Sequence, residues 1–234
     1  MKKVFALIAF MGVIALAACG STVGGDDGDS CGGCGCTGGG GDKMDSSQST
    51  IDMYVNGTIK ASYWVQVHEG AEAGQYWETT MKMAGDMTMT SRWQVAAKDG
   101  DTVVVENQNK MDGPYMVSDY VLAYQVDTSK GMGEVNVTAA WIGKPGEKGQ
   151  AIEIMEKPEP TCGGCAGEQP ETEDFSGVEL AGGTWEGTIY ISGASKTWMA
   201  SNGWFNGMIK MESGDTVNEL TAFGTDAEPL LAWE

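Results

Sequence analysis

Apolar and polar residues alternate with a period of two along much of the chain beyond residue 51. The runs that show this alternation most clearly are 76–83, 87–95, 120–127, 135–142 and 185–191. Only Ile142, at the end of the fourth run, breaks the pattern. Because successive side chains of a strand point to opposite faces of a sheet, these runs predict strands that are buried on one face.

Short turn signals separate these runs. They are Gly85-Asp86, Asp99-Gly100, Asp112-Gly113-Pro114, Lys130-Gly131 and Ser213-Gly214-Asp215. Parallel neighbours need crossovers of about a dozen residues or more, so strands joined by such short turns are mostly antiparallel. The segment 61–69 fits either a short helix or a strand. The sequence therefore predicts an all-β, mainly antiparallel single domain over residues 51–224, with at most a short helix.

One segment interrupts this β-rich region. Residues 157–175 contain three prolines, five acidic residues and the motif Cys162-Gly-Gly-Cys165. A long stretch without apolar periodicity is usually an exposed loop. We expect it to divide the domain into the parts 51–156 and 176–224, with residues 225–234 forming a C-terminal tail.

The N-terminus has the pattern of an export signal. Lys2 and Lys3 precede an apolar run from Val4 to Ala17, and the sequence Leu16-Ala17-Ala18-Cys19 resembles the bacterial lipobox. The resemblance implies that residues 1–18 are removed and that Cys19 carries acyl chains such as palmitate. An ordinary signal peptide with a chance cysteine, or an uncleaved anchor, is the alternative. Gly20, by resemblance to the known sorting rule, favours the outer membrane.

Residues 19–50 are predicted to be a tether. Eleven of the residues 20–41 are glycine, and Val23 is the only aliphatic residue among them. Such a composition buries too little apolar surface to offset the entropy of an ordered chain. We expect a flexible link between the lipidated Cys19 and the folded domain.

The net charge limits the partners. It is −19 for the whole chain and becomes −21 when Lys2 and Lys3 leave with residues 1–18. So acidic a protein repels nucleic acid and anionic lipid headgroups. We therefore expect no nucleic-acid partner, and attachment to the membrane through acyl chains.

The remaining cysteines leave three chemical interpretations open, beside that of no defined role. They are Cys31, Cys34, Cys36, Cys162 and Cys165. Two Cys-x-x-Cys pairs match the spacing of a four-thiolate zinc site, whereas an oxidising compartment favours disulfides. A redox pair is the third interpretation, although no amphipathic helix or basic residue adjoins Cys162 to activate its thiol. Otherwise we expect no cofactor.

Catalytic patterns are not recognisable in the sequence. His68 is the only histidine, and it lies in Trp64-Val-Gln-Val-His68 rather than near a nucleophile elbow. No glycine-rich loop opens a helix to hold a phosphate. We therefore expect a protein that is not an enzyme, with a His68-dependent hydrolase as the least favoured alternative.

One set of apolar residues suggests a binding surface. Trp77, Met81, Met83, Met87, Met89 and Trp93 are predicted to share a face of two neighbouring strands. Methionine-rich faces adapt to irregular apolar ligands such as acyl chains. An ordinary hydrophobic core is the alternative interpretation of the same six residues.

The C-terminal third contains motifs that resemble a family of bacterial lipoproteins. The motifs are Ala181-Gly-Gly-Thr-Trp185-Glu186-Gly-Thr188, Ser195-Lys-Thr-Trp-Met-Ala200, Trp204, Lys210-Met-Glu212, Val217 and Glu219-Leu-Thr221. This family is similar in outline to lipoprotein carriers, whose antiparallel sheet curls around an apolar cavity. The resemblance covers residues 60–224 and implies a curved sheet or incomplete β-barrel. Glu186 and Ala200 depart from the family pattern, which often has Cys and Ser there.

These observations predict an exported, lipid-anchored binding or envelope-maintenance module. Its expected partners are the membrane and either a hydrophobic small molecule or another envelope protein. The alternative is a cysteine-rich exported protein that binds metal or carries out redox chemistry.

Overall fold

A computed structural model describes residues 43–159 and 170–233. Within them lie one helix, α1 (Ser47–Val55), and twelve strands. The strands are β1 (Met44–Asp45), β2 (Tyr76–Met83), β3 (Met87–Asp99), β4 (Thr102–Asp112), β5 (Met116–Asp127), β6 (Val137–Gly143), β7 (Gln150–Ala151), β8 (Glu171–Leu180), β9 (Gly183–Ser192), β10 (Ser195–Ala200), β11 (Met208–Ser213) and β12 (Thr216–Gly224). No helix in this part of the chain is long and apolar enough to cross a membrane. The predicted signal peptide and all six cysteines lie outside the described residues.

The strands form one open sheet that does not close into a barrel. Their order is β7-β6-β5-β4-β3-β2-β12-β11-β10-β9-β8, and β1 adds a parallel pair beside β5. Two antiparallel meanders, β2–β7 and β8–β12, therefore lie side by side and join where β2 pairs with β12. The predicted mainly antiparallel β-fold is confirmed.

Register shifts bend this sheet. They occur between Val95 and Ala97 in β3, between Gln125 and Val126 in β5, between Phe175 and Val178 in β8, between Trp198 and Met199 in β10, and between Leu220 and Ala222 in β12. A bulge bends its strand and increases the local twist. Strands of both meanders therefore depart from a flat sheet.

The first core lies between the first meander and the chain that precedes it. Ile51 of α1, and Ala61 and Val65 of the irregular segment that follows, pack on one face of β3–β6. The segment 61–69 is neither helix nor strand. Val65 donates its backbone N–H to Asn136 Oδ1 (2.9 Å), and Asn136 Nδ2 donates to the Val65 carbonyl oxygen (2.8 Å). The Asn136 side-chain amide thus satisfies the backbone N–H and C=O of Val65, as a neighbouring strand would in a sheet.

The C-terminal segment covers the opposite face of the same strands. Leu231 is buried against Val121 and Ala123 of β5. The buried Glu106 carboxylate accepts backbone N–H groups from Leu230 (2.7 Å) and Leu231 (2.9 Å). Strands β4–β6 are therefore covered on both faces. This explains why the alternation breaks at Ile142. Ile142 is buried in the first core, whereas its neighbour Trp141 packs against the C-terminal segment on the other face.

The second core is aromatic and lies where the two meanders meet. Its buried residues are Trp77, Trp185, Phe205, Ile209 and Leu220. The ring centroids of Trp77 and Phe205 are 6.2 Å apart, and those of Trp185 and Phe223 are 5.3 Å apart. Residues from β2, β9, β12 and the β10–β11 connection thus hold the meanders together through the favourable geometry of aromatic pairs.

Two segment boundaries differ from the sequence prediction. Helix α1 begins at Ser47, inside the predicted tether, because Ile51 is buried and Ser47 Oγ accepts the backbone N–H of Asp119 (2.8 Å). Strand β8 begins at Glu171, inside the predicted loop. It is the edge strand of the sheet, and its acidic residues oppose pairing with another chain.

Candidate functional site

Strands β2 and β3 bring the six predicted apolar residues onto one face of the sheet. Trp77 lies opposite Trp93, Met81 opposite Met89, and Met83 opposite Met87. The turn between them contains Gly85 (φ 79°) and Asp86 (φ 56°), residue types that accept a positive φ. This turn sets the register that aligns the pairs. We call the surface formed by these six residues the Met–Trp face.

The two ends of the Met–Trp face differ in burial. Trp77 is buried and stacks on Trp93 with 6.3 Å between ring centroids, and both rings belong to hydrophobic cores. The four methionines remain partly exposed. The tryptophans therefore form a packed floor at one end, and the thioethers form the surface available to a ligand.

Polar amides continue this surface onto the neighbouring strand. Asn107 lies opposite Trp93 and donates from Nδ2 to Ser91 Oγ (2.9 Å), and Asn109 Nδ2 donates to Asn107 Oδ1 (2.7 Å). Neither residue was predicted from the sequence. Asn107 and Asn109 follow Val105 by two and four residues, so they lie on the same face of β4. This period of two is the signal that could have assigned them to the site.

Asn218 of β12 extends the surface on its other side. It lies opposite Met81 and is only 9% exposed. Among the described residues, its Oδ1 is the buried side-chain oxygen or nitrogen that lacks a hydrogen-bond partner. A buried acceptor left unpaired costs free energy. A ligand N–H or O–H group that bonded to Asn218 Oδ1 would remove that cost.

The surface around the methionines is uncharged. Within 77–83, 87–93 and 107–111, the charged residues Glu78, Lys82, Arg92 and Lys110 occupy the alternate positions of their strands and so lie on the opposite face. There the Arg92 guanidinium lies 4.0 Å from the centre of the Tyr76 ring. The Met–Trp face therefore offers sulfur, indole and amide groups without a fixed charge.

His68 lies beside the Trp77 end of this face. Its Nε2 is 2.7 Å from Gln75 Oε1, and its ring centroid is 5.0 Å from that of Trp204. Burial lowers the pKa of His68 below its ordinary value of 6.5, and the Gln75 hydrogen bond opposes that shift. Among the described hydrogen bonds of this imidazole, none is accepted by a carboxylate that would orient it as a catalytic base. The hydrolase alternative therefore gains no support from this geometry.

The residues predicted for lipidation, disulfides or zinc lie outside the described part of the chain. They are Cys19, Cys31, Cys34, Cys36, Cys162 and Cys165. In the part that is described, no group of three or more His, Cys, Asp or Glu side chains could hold a metal ion. The zinc and disulfide interpretations stay predictions.

A separate depression of about 180 Å³ lies near the end of β5, lined by Trp64, Val67, Lys130 and Met132 among others. Its Lys130 is already close to Asp127, at 3.8 Å, and the Asn136 amide there is occupied by Val65. The depression therefore presents no unpaired polar group comparable with Asn218.

Comparison with protein-family models, curated proteins and solved structures gives no significant match to this chain. The resemblance to lipoprotein carriers therefore stays a hypothesis.

Proposed function

We propose that this chain is an exported bacterial lipoprotein that acts as a non-enzymatic binding or envelope-maintenance module. Acyl chains on Cys19 hold it in the cell envelope, with Gly20 favouring the outer membrane. The lipobox-like ending at Cys19 and the glycine-rich segment after it support this proposal. Attachment by lipid also suits a protein whose net charge opposes adsorption to anionic headgroups.

The binding part of the proposal depends on one observation. Four partly exposed methionines lie together on an uncharged sheet face beside two packed tryptophans. Flexible, polarisable thioethers can adapt to irregular apolar groups, and the indole floor gives them a rigid support. The Met–Trp face is therefore proposed to hold an apolar ligand.

Asn218 narrows the chemistry of that ligand. Its unpaired Oδ1 is an acceptor, so a ligand O–H or N–H group would remove the cost of leaving it unsatisfied. An ionised carboxylate would meet this acceptor on a face that carries no cation, which is unfavourable. The proposed ligand is an apolar molecule with an uncharged hydrogen-bond donor.

A neutral fluorescent probe tests this function. The chain from Gly20 onward is titrated with N-phenyl-1-naphthylamine, which is apolar, uncharged and carries one N–H donor. We expect saturable binding, and binding weaker by about tenfold or more in Met81→Glu/Met89→Glu, because two carboxylates would replace the apolar surface. Anionic cis-parinaric acid should bind more weakly than the neutral probe.

The matched control is Thr80→Glu/Thr90→Glu. These residues are also paired across β2 and β3, but they lie on the opposite face. The control adds the same charge to the same two strands and should bind the probe as the wild type does. Folded wild-type protein without saturable binding, or an equal loss in the control, would contradict the proposal.

A further inference from the structure

Methionines also line up across the sheet, beyond the two strands of the Met–Trp face. Across adjacent strands, Met211 of β11 lies opposite Asn218 of β12, and Asn218 lies opposite Met81 of β2. Met81 lies opposite Met89 of β3, which in turn lies opposite Met111 of β4. We call these five residues the methionine row. It crosses five adjacent strands, and all four of its methionines are partly buried.

The spacing of a sheet brings the sulfur atoms of this row within reach of one another. Directly opposite Cβ atoms on neighbouring strands lie about 4.5–5.5 Å apart, and each thioether sulfur is two bonds beyond its Cβ. Met89 is central, with Met81 on one side and Met111 on the other. Three sulfur atoms can therefore meet above Met89.

The Met87 thioether leans toward the neighbouring strand. Its Cγ and Sδ lie 3.3 Å and 3.9 Å from the position that a Cβ on Gly113 would occupy. Gly113 directly follows β4, whereas Met87 begins β3. A fourth thioether thus points toward the end of the strand that carries Met111.

The chemistry of such a group is specific. Thioethers are soft, neutral donors, which select soft monovalent ions over the hard divalent ions that prefer oxygen. The charged residues of the neighbouring strand positions lie on the opposite face, so no carboxylate from these positions would favour a hard divalent cation. We propose that Met81, Met89 and Met111 bind one soft monovalent cation, Cu(I) in the cell.

This site is distinguishable from the apolar-ligand site although the two share methionines. Leucine is close to methionine in volume and apolarity but lacks the sulfur atom. Met81→Leu/Met89→Leu should therefore keep probe binding and lose the cation. Folded wild-type protein that binds Cu(I) but not the probe would contradict only the apolar-ligand proposal.

The experiment uses the chain from Gly20 onward with its cysteines alkylated, because free thiolates would compete for the metal. Under anaerobic, reducing conditions, Cu(I) is partitioned between the protein and the chromophoric chelator bicinchoninate. We expect one Cu(I) per chain, and affinity lower by about tenfold or more in Met81→Leu/Met89→Leu. The control Met132→Leu/Met155→Leu changes two exposed methionines outside the row and should bind as the wild type does.

Labelling the methionine methyl groups with ¹³C locates the ion directly. Ag(I), a redox-inert analogue, should shift the methyl signals of Met81, Met89 and Met111 and leave those of Met132 and Met155 in place. Circular dichroism shows whether each variant is folded. Alkylated wild-type protein that retains no Cu(I), a folded leucine variant that binds as tightly as wild type, or shifts confined to other methionines would overturn the proposal.

Discussion

At the residue scale, single polar groups inside apolar surroundings define this molecule. Glu106 holds the C-terminal segment through two backbone N–H groups, and Asn136 holds the irregular segment at Val65. Asn218 differs because its oxygen has no partner in the described chain. Polar groups that are already satisfied fix the structure, whereas the unsatisfied Asn218 oxygen is where we propose that a ligand donor binds.

His68 gives a pH prediction at the same scale. Burial against Trp77 and Trp204 lowers its pKa, so the folded protein binds the proton less readily than the unfolded chain. The stabilisation from neutral His68 is complete above the ordinary value of 6.5 and is lost as the pH falls toward the lower folded pKa. Stability should therefore rise with pH across that window.

The measurement is direct because the chain has one histidine. An NMR titration of the imidazole signal should give a pKa below 6.5. In His68→Phe, which keeps an aromatic ring, the pH dependence of urea unfolding in this window should flatten. An imidazole that titrates at or above 6.5, or an unchanged slope in the phenylalanine variant, would contradict this account.

At the element scale, the sequence predicts the strands whose large apolar residues alternate, including β5 and β6, although both faces of those two strands are covered. The runs 76–83 and 87–95 alternate cleanly, and the Met–Trp pairs followed from that alternation. Strand β4 was missed because Val103, Val104 and Val105 are all buried, since the C-terminal segment covers the second face. Asn218 was not assigned to the site because β12 is distant from β2 in the sequence, and the two strands become neighbours only in the folded sheet.

Helix α1 was missed for a related reason. Only Ser47 and Ile51 of its nine residues are buried, so a polar segment carries too little periodicity to predict a helix. Its position depends on packing against the sheet rather than on intrinsic propensity. The first elements of the domain are thus set by contacts distant in the sequence.

Ile51 tests whether α1 belongs to the domain. Its side chain is 1% exposed in the first core, so Ile51→Ala should lower the free energy of unfolding by about 2–5 kcal/mol through lost burial and a cavity. Urea unfolding measures the loss. Val55→Ala, on the same helix but 41% exposed, should cost far less. Equal effects of the two substitutions would show that α1 is not packed as described.

At the scale of the whole molecule, an open sheet of two meanders carries one neutral, sulfur-rich surface in a strongly acidic chain. Cys19 lies before the described residues in the sequence, so acylation there, as proposed, would link this surface to a membrane. The proposed ligands, an uncharged apolar molecule and a soft cation, are both compatible with a surface that has no fixed charge. Export and acylation are what would bring that surface to the cell envelope.

Mass spectrometry of the N-terminal peptide of the native protein, purified from the membrane fraction of its own cells, tests this central claim. We predict a first residue at Cys19 that carries the added mass of acyl chains, and loss of that fraction in Cys19→Ser. A polypeptide that begins at Met1 in the cytosolic fraction, or a Cys19 with an unmodified thiol, would contradict the account.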